Sequence, residues 1–212
     1  SEMVVKSSLN DYSMIEVPTT LSPDGRTRAP HLRSWRDGWR HLQFLLIFSP
    51  RWLFLYPGFF LITIGMVGSL FLTRQPVSLG SLTFDIHTLL FMAAAVITGI
   101  QLISFFVLGH ALGVRLGLLP EDSSFRRLKQ FLSIGRMLVL GVLITFLGAA
   151  YAGLSMSAWS AAEFGALDPS DTMRKAIPAV TLMIAGVQIF FSAFFYGLID
   201  SFSIVNQRNG IA

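Results

Sequence analysis

The chain has 212 residues, of which 53% are hydrophobic and only 13% are charged, with a net charge of +4 and a mean hydropathy of +0.62. Average soluble domains carry about 25% charged residues, so this composition indicates a membrane protein. The sequence contains no cysteine, which excludes disulfides and thiolate metal sites. The basic residues form no broad hydrophilic face of the kind that nucleic-acid binding needs, and no nucleic-acid partner is predicted.

Residues 1–33 form a polar approach to the apolar part of the chain. Met14–Val17 is apolar enough for a short strand, and Ser22–Pro30 is a turn-rich basic loop. A segment of about 33 residues is too short to enclose its own core. Because the chain begins with Ser1 inside an apparently amphipathic segment, we expect it to be part of a longer protein.

Residues 34–49 predict an amphipathic helix at the membrane–water boundary. Ser34 followed by Asp37 resembles a capping box, and Trp35 and Trp39 recur at helical spacing while arginines occupy other faces. Such a helix places rings at the acyl boundary and guanidinium groups beside lipid phosphate. The predicted interface residues are Trp35, Arg36, Trp39, Arg40, His41, Arg51 and Trp52.

Four apolar segments follow, at about 52–72, 86–112, 137–159 and 177–199. Each is long enough to cross a hydrocarbon layer of roughly 30 Å as a helix, in which every backbone hydrogen bond is satisfied internally. The predicted fold is therefore an all-α membrane domain over residues 50–212, arranged as two helical hairpins. Lysines and arginines alternate between abundant and scarce in successive connections, which predicts a multi-pass protein with both termini in the cytoplasm.

A weak internal repeat supports the two hairpins. Gly99–Leu102 resembles Gly186–Ile189, and glycines lie seven residues apart in both the first and the third segment. Tandem hairpins related by an axis along the membrane normal would give this pattern.

Few polar groups lie inside the apolar segments. Gln101 and Gln188 are expected to find a hydrogen-bond partner inside the membrane. A role in helix packing is favoured for both over contact with a polar substrate. His87 and His110 lie near opposite ends of the second segment, so they are expected at the boundaries and cannot share a metal. Asp200 is expected to face water.

Small residues offer close helix approach in the third segment. Gly148 and Ala152 form a small-xxx-small pair, which is compatible with packing inside the chain or with self-association as a homo-oligomer.

The basic loop before the boundary helix is the remaining candidate site. Arg26, Arg28 and Arg33 either anchor the chain on anionic headgroups or clamp the phosphate of a lipid-linked substrate, for which planar bidentate donors are suited. The spacing alone favours the anchor. No nucleophile–base grouping and no metal-ligand cluster is predicted, so no catalytic residue is assigned to this chain.

Four stretches resemble bacterial family 2 glycosyltransferases of the dolichol-phosphate or polyprenyl-phosphate mannosyltransferase type: Ser1–Lys6, Ile15–Arg26, His31–His41 and Ser49–Gly58. The resemblance implies a cytoplasmic GT-A catalytic domain upstream in the same polypeptide, with residues 1–21 as its tail. It also implies transfer of a sugar from a nucleotide donor to polyprenyl phosphate, in the bacterial inner (plasma) membrane.

The resemblance also bears on the metal and on the arginines. In that family an Asp-x-Asp motif holds a divalent metal, Mg or Mn. This sequence has no such motif, so the metal is expected in the missing domain. Without that domain, this chain alone is expected to be inactive. The resemblance places Arg26 or Arg28 where the family's basic residue meets the acceptor phosphate, although the run Arg26–Pro30 departs from the family pattern.

Two functions remain in competition at this point. The first is the membrane-anchoring and lipid-acceptor-binding part of a glycosyltransferase. The alternative is a non-catalytic four-helix membrane protein, such as a lipid-carrier translocase or a membrane-recruitment subunit.

Overall fold

A computed structural model describes residues 3, 7, 12–20, 35–40, 42, 49–116, 119, 125, 133–161, 163, 165 and 168–209. For residues 158, 161 and 202–209 it describes the backbone only. The basic loop with Arg26, Arg28 and Arg33 lies outside this set, and so does His41.

The first membrane helix begins with a π-helical turn, Arg51–Leu55, that continues into α1 (Tyr56–Leu72). Pro57 lies in the first turn of α1, directly after the π-helical turn. The backbone carbonyl of Ser49 accepts a hydrogen bond from the Trp52 N–H at 3.1 Å, which closes the entry to the helix.

A small β-hairpin joins α1 to the next helix. Strands β1 (Val77–Leu79) and β2 (Leu82–Phe84) pair antiparallel, and Gly80 adopts a φ of +62° at the turn, as tight hairpin turns require. The short strand expected at Met14–Val17 is not formed, because residues 12–20 have no regular secondary structure and are exposed. A lone segment without a pairing partner gains no ladder hydrogen bonds.

Three long helices complete the structure: α2 (Ile86–Arg115), α3 (Ile134–Ala161) and α4 (Pro169–Asn209). The start of α4 lies earlier than the predicted 177. Asp168 supplies the reason, because its Oδ1 accepts a hydrogen bond from the Ser170 N–H at 2.8 Å, and Pro169 follows as the first helical residue.

Within the described residues, four helical segments are long and apolar enough to cross a membrane: Arg51–Leu72, Ile86–Arg115, Ile134–Ser157 and Pro169–Ser201. Large apolar side chains cover their outer faces, as lipid-facing helices require. The predicted four-span all-α membrane fold is therefore confirmed.

The helices pack as two hairpins that meet through one interface. Helix α1 packs on α2, α3 packs on α4, and α2 packs on α4. Glycines let the backbones approach within each hairpin: a Cβ on Gly58 would lie 3.0 Å from the Gly99 carbonyl oxygen, and a Cβ on Gly141 would lie 2.8 Å from the Gly186 carbonyl oxygen.

The two hairpins repeat each other contact by contact. A residue of α1 corresponds to the residue of α3 whose number is 83 higher, and a residue of α2 corresponds to the residue of α4 whose number is 87 higher. With these offsets, Gly65 against the Met92 carbonyl corresponds to Gly148 against the Ala179 carbonyl. The internal repeat expected from the sequence is thus present in the packing.

Equivalent residues also meet where the hairpins join. Gln101 of α2 and Gln188 of α4 occupy the same place in the repeat and contact each other. An interface in which a residue meets its own equivalent has two-fold character, so a pseudo-two-fold axis runs along the helices between α2 and α4. Helices α2 and α4 run parallel because each is the second, antiparallel helix of its hairpin.

Candidate functional site

We call the end of the bundle that carries Arg51, Arg115, Arg136 and Asp200 the basic end. Helix α1 begins there, α2 ends there, α3 begins there and the apolar part of α4 ends there. Residues 35–40 and 42 are helical and precede α1. The basic end is therefore where the chain passes from the predicted boundary helix into the bundle.

The predicted boundary helix exposes its aromatic side chains. Trp35 is 87% exposed and Trp39 is 52% exposed, a poor arrangement in water but a suitable one at the edge of a lipid layer. Arg36 lies 3.9 Å from Asp37, and both Arg36 and Arg40 are exposed. Helical residues with exposed Trp and Arg fit the amphipathic pattern of the sequence.

Two predicted interface residues lie where α1 begins. Trp52 is 72% exposed, and its ring meets that of Tyr56 edge to face with 4.9 Å between centroids. Arg51, one residue earlier, is half-buried. An aromatic pair followed by an apolar helix is typical of the level at which a membrane helix leaves the headgroup region.

Asp200 does not simply face water, as the sequence had suggested. The Arg115 guanidinium donates from Nη2 to both the Asp200 backbone carbonyl and its Oδ1, each at 2.8 Å. The two side chains are 25% and 34% exposed. The pair ties the end of α2 to α4 through charge-assisted hydrogen bonds.

His110, expected near a membrane boundary, is buried among side chains close to the end of α2. It is only 6% exposed, with its ring centroid 4.2 Å from that of Phe125 and 5.8 Å from that of Phe106. Neither ring nitrogen has a hydrogen-bond partner among the residues that the structure describes. Phe125, which covers it, lies in the connection between α2 and α3.

Gln101 and Gln188 meet each other in the middle of the bundle. The Gln188 Nε2 donates to the Gln101 Oε1, which joins α2 to α4. Both side chains are half-buried. The amides act here as a cross-link between the hairpins, at a depth where an unpaired amide would be costly.

The opposite end of the same interface holds a third polar cross-link. Arg174, predicted to lie in a connection, is instead 8% exposed within α4. Its guanidinium donates to the Leu72 carbonyl at the end of α1 and to the Asp85 carboxylate before α2. Three polar cross-links therefore hold α2 and α4 together along their length.

The predicted packing pair of α3 lies against α4. Gly148 is buried, and a Cβ there would lie 2.7 Å from the Met183 backbone nitrogen. Ala152, one turn further on, is half-buried. Both residues face the interior of the second hairpin.

A cavity of about 240 Å³ lies between the two hairpins on the side of the basic end. We call it the lateral cleft, and its lining includes Ile103, Ser104, Met137, Ser192, Ala193 and Tyr196. The cleft is almost wholly apolar. At its end, Tyr196 packs with Ala111 and Phe125 in a buried cluster.

No group of three or more His, Asp or Glu residues suited to a metal occurs in the described part of the chain. Together with the lack of an Asp-x-Asp motif in the sequence, this set of residues does not fit the divalent metal that the resemblance implies. No step of a reaction is therefore assigned to a metal on this chain.

Sequence reasoning missed the Arg115–Asp200 pair, the Arg174 contacts and the lateral cleft. A signal for the ion pairs was available, since charged residues of opposite sign lie at matching ends of α2 and α4. The cleft gave no such signal, because it depends on which helix faces which.

Comparison with known proteins extends the resemblance beyond the first 58 residues. Residues 107–200 match the model of the glycosyltransferase family 2 C-terminal transmembrane region. The chain is 31% identical over 199 residues to the low-salt glycan biosynthesis hexosyltransferase Agl6 of Haloferax volcanii, covering 93% of this chain and 46% of that protein.

The chain thus spans about half the length of the curated relative that it matches. No solved structure matches it. The resemblance carried by the N-terminal residues is confirmed by matches that include the membrane helices: residues 107–200 are similar to the C-terminal transmembrane region of family 2 glycosyltransferases, and nearly the whole chain is similar to a hexosyltransferase.

Proposed function

We propose that this chain is the membrane half of a glycosyltransferase that moves a hexose from a nucleotide donor to polyprenyl phosphate. The observation that carries the proposal is the similarity to a hexosyltransferase over 93% of the chain, which includes the loop and boundary helix as well as the bundle. The remainder of the protein would supply the catalytic GT-A domain and its divalent metal.

The basic end is proposed to face the cytoplasm. The segment up to Arg51 and the connection between α2 and α3 carry most of the lysines and arginines, whereas the β-hairpin connection carries only Arg74. This distribution follows the rule that positive residues stay on the cytoplasmic side. A nucleotide donor bound there would meet the acceptor at the same surface. The expectation of a bacterial inner membrane remains a prediction, since the matched relative is archaeal.

Arg26, Arg28 and Arg33 are proposed to bind the acceptor phosphate beside the boundary helix. A guanidinium offers two parallel donors to phosphate oxygens, and the low dielectric of the membrane surface strengthens each contact. Trp35, Trp39 and Trp52 would fix the depth of the neighbouring helices. The phosphate would thus be held at a set height for attack on the donor sugar.

The test uses the intact protein with Arg26→Ala and Arg28→Ala together. We expect kcat/KM for polyprenyl phosphate to fall by about tenfold or more, equivalent to ~1.4 kcal/mol or more, with binding of the nucleotide sugar unchanged. Arg74→Ala, which removes a cation from the opposite end, is the matched control and should leave both parameters unchanged. Equal losses for donor and acceptor would overturn the assignment.

A second assay tests the division of labour. Residues 1–212 expressed alone are expected to bind polyprenyl phosphate without transferring sugar to it, because stabilisation of the leaving nucleotide diphosphate needs the missing metal site. Sugar transfer by this chain alone would refute the assignment of catalysis to another domain. An intact protein that neither binds nor glycosylates polyprenyl phosphate would favour the non-catalytic alternative.

A further inference from the structure

The β-hairpin between α1 and α2 is an amphipathic element. Four apolar side chains share one face of it, because they alternate along each strand and pair directly across the two strands: Val77, Leu79, Leu82 and Phe84. Ser78 and Thr83 lie on the opposite face, where their hydroxyl oxygens are 3.4 Å apart. The β-hairpin therefore has one face suited to water and one suited to an apolar partner.

The chain itself covers the part of the apolar face that is nearest the bundle. Val77 and Phe84 are half-buried, and they line a groove of about 730 Å³ together with residues of α1 and α2. Leu79 and Leu82, on either side of the turn, are 67% and 64% exposed. The apolar face thus continues beyond the bundle to the tip of the β-hairpin.

The other wall of the groove shows what this face overhangs. It includes Phe60, Val67 and Phe71 of α1, which are exposed and lie within the membrane-spanning segment Arg51–Leu72. From Phe60 to Phe71 this wall extends about 16 Å along the helix. Exposed apolar side chains of a spanning helix face lipid tails, so the apolar face of the β-hairpin looks onto lipid.

The length of α1 gives the level of the β-hairpin in the membrane. Trp52 lies where the first membrane helix leaves the headgroup region of the basic end, and Leu72 ends the helix 20 residues later. This length corresponds to about 30 Å of helix, which is the thickness of the hydrocarbon layer. The β-hairpin follows directly and therefore lies at the opposite membrane surface.

One side chain of α4 holds both legs of the β-hairpin. The Arg174 guanidinium donates to the Leu72 carbonyl, which precedes β1, and to the Asp85 carboxylate, which directly follows β2. Arg174 is buried, so these charge-assisted contacts are shielded from water. They hold the base of the β-hairpin against the bundle, with its apolar face toward the groove.

We propose that the β-hairpin anchors the bundle in the lipid leaflet opposite the basic end. Leu79 and Leu82 enter the acyl region, lipid tails fill the groove below them, and the Ser78 and Thr83 hydroxyls face the headgroups. Lipid is the partner because the apolar face is continuous with the lipid-facing side of α1.

The bundle would then have an amphipathic element at each surface: the predicted boundary helix at the basic end and the β-hairpin at the other. Together they would fix the depth of the bundle in the membrane. This inference is independent of the proposed function, because it applies equally to a glycosyltransferase and to a non-catalytic membrane protein.

The test measures the accessibility of spin labels on single introduced cysteines in the intact protein, reconstituted in lipid nanodiscs. Dissolved oxygen concentrates among lipid tails, a polar nickel chelate stays in water, and a label covered by protein meets neither. Residues 1–212 contain no cysteine, and the signal of the unchanged protein is subtracted. Leu79→Cys reports on the apolar face, and Ser78→Cys, one residue away on the opposite face, is its matched control.

We expect the ratio of oxygen to nickel accessibility to be about tenfold higher for Leu79→Cys than for Ser78→Cys, because hydrocarbon excludes a polar chelate. Leu82→Cys and Thr83→Cys form an independent pair on the second strand and should show the same difference. Unfolding of each labelled protein, followed by circular dichroism and compared with wild type, verifies that the fold is retained.

Three other outcomes would overturn the proposal. High nickel accessibility at all of these positions would place the β-hairpin in water. Low accessibility to both probes at Leu79→Cys and Leu82→Cys would mean that protein, such as a second copy of the chain, covers the apolar face. High oxygen and low nickel accessibility on both faces would place the whole β-hairpin in hydrocarbon. None of these results depends on polyprenyl phosphate, so failure here leaves the proposed function standing.

Discussion

A single methyl group should have opposite effects at two glycines of this bundle. Gly186 lies where α3 and α4 are closest: a Cβ built there would lie 2.5 Å from the Thr145 backbone nitrogen and 2.6 Å from the Gly141 carbonyl oxygen. Gly109, on α2, has no atom within 4 Å of the same added methyl. Gly186→Ala and Gly109→Ala are thus chemically identical changes in different surroundings.

The size of each effect follows from these distances. Nonbonded carbons prefer separations of about 3.5–4.0 Å, so Gly186→Ala requires α3 and α4 to separate by about 1 Å. Backbone atoms line the contact and cannot rotate away, so we expect a loss of about 1–3 kcal/mol, as for overpacked cores. Gly109→Ala should be neutral or stabilise by up to about 1 kcal/mol, because alanine favours the helix.

The assay is equilibrium unfolding of the purified protein in mixed micelles, followed by circular dichroism. Gly99→Ala is an internal replicate, since Gly99 is the equivalent of Gly186 in the first hairpin and its added Cβ would lie 2.7 Å from the Gly58 carbonyl oxygen. Losses of stability that are the same at Gly109 and Gly186 would refute the close packing of the hairpins.

Two further predictions concern the polar cross-links. Gln101→Leu and Gln188→Leu should each lower the free energy of unfolding by about 0.6–1.7 kcal/mol. The double variant should lose less than the sum of the two, since each single change leaves the other amide unpaired. A double-mutant cycle of unfolding free energies measures the coupling between the two residues. Asp85→Ala should cost about 3 kcal/mol in the same assay because it leaves the buried Arg174 without its carboxylate. Asp37→Ala, at the partly exposed pair with Arg36, should cost at most about 1 kcal/mol. A similar loss at both aspartates would mean that Arg174 is hydrated.

Much of the fold could be predicted because a membrane leaves few alternatives. Long apolar runs must form helices in hydrocarbon, so the spans were placed to within a few residues at most ends. Among the membrane spans, the largest error was the start of the fourth, where Arg174 and its neighbours appeared to be a polar connection. A charged side chain can extend an apolar helix when a partner lies across the interface, and that partner, Asp85, is distant in sequence.

The candidate site was less predictable for a related reason. The repeat of Gly99–Leu102 at Gly186–Ile189 was visible in the sequence and correctly paired the two hairpins. The cleft depends on side chains from three or more helices, and no local pattern distinguishes Ser192 in a cleft from serine in a helix contact.

The parallel arrangement of α2 and α4 is the premise that both the repeat and the cleft share, and it can be tested by cross-linking. Because residues 1–212 contain no cysteine, two cysteines introduced into this part of the protein, expressed alone, can pair only with each other within a monomer. Gln101→Cys with Gln188→Cys should form a disulfide under mild oxidation, since the two side chains meet across the interface.

A matched pair sets the limit of this test. Val180 is exposed and lies eight residues, or about 12 Å of helix, before Gln188, while a disulfide tolerates Cα separations only up to about 7 Å. Gln101→Cys with Val180→Cys should therefore remain reduced. If this second pair cross-links as readily as the first, α2 and α4 slide or lie in another register. The equivalence of the two hairpins would then fail, because it holds only when Gln101 faces Gln188.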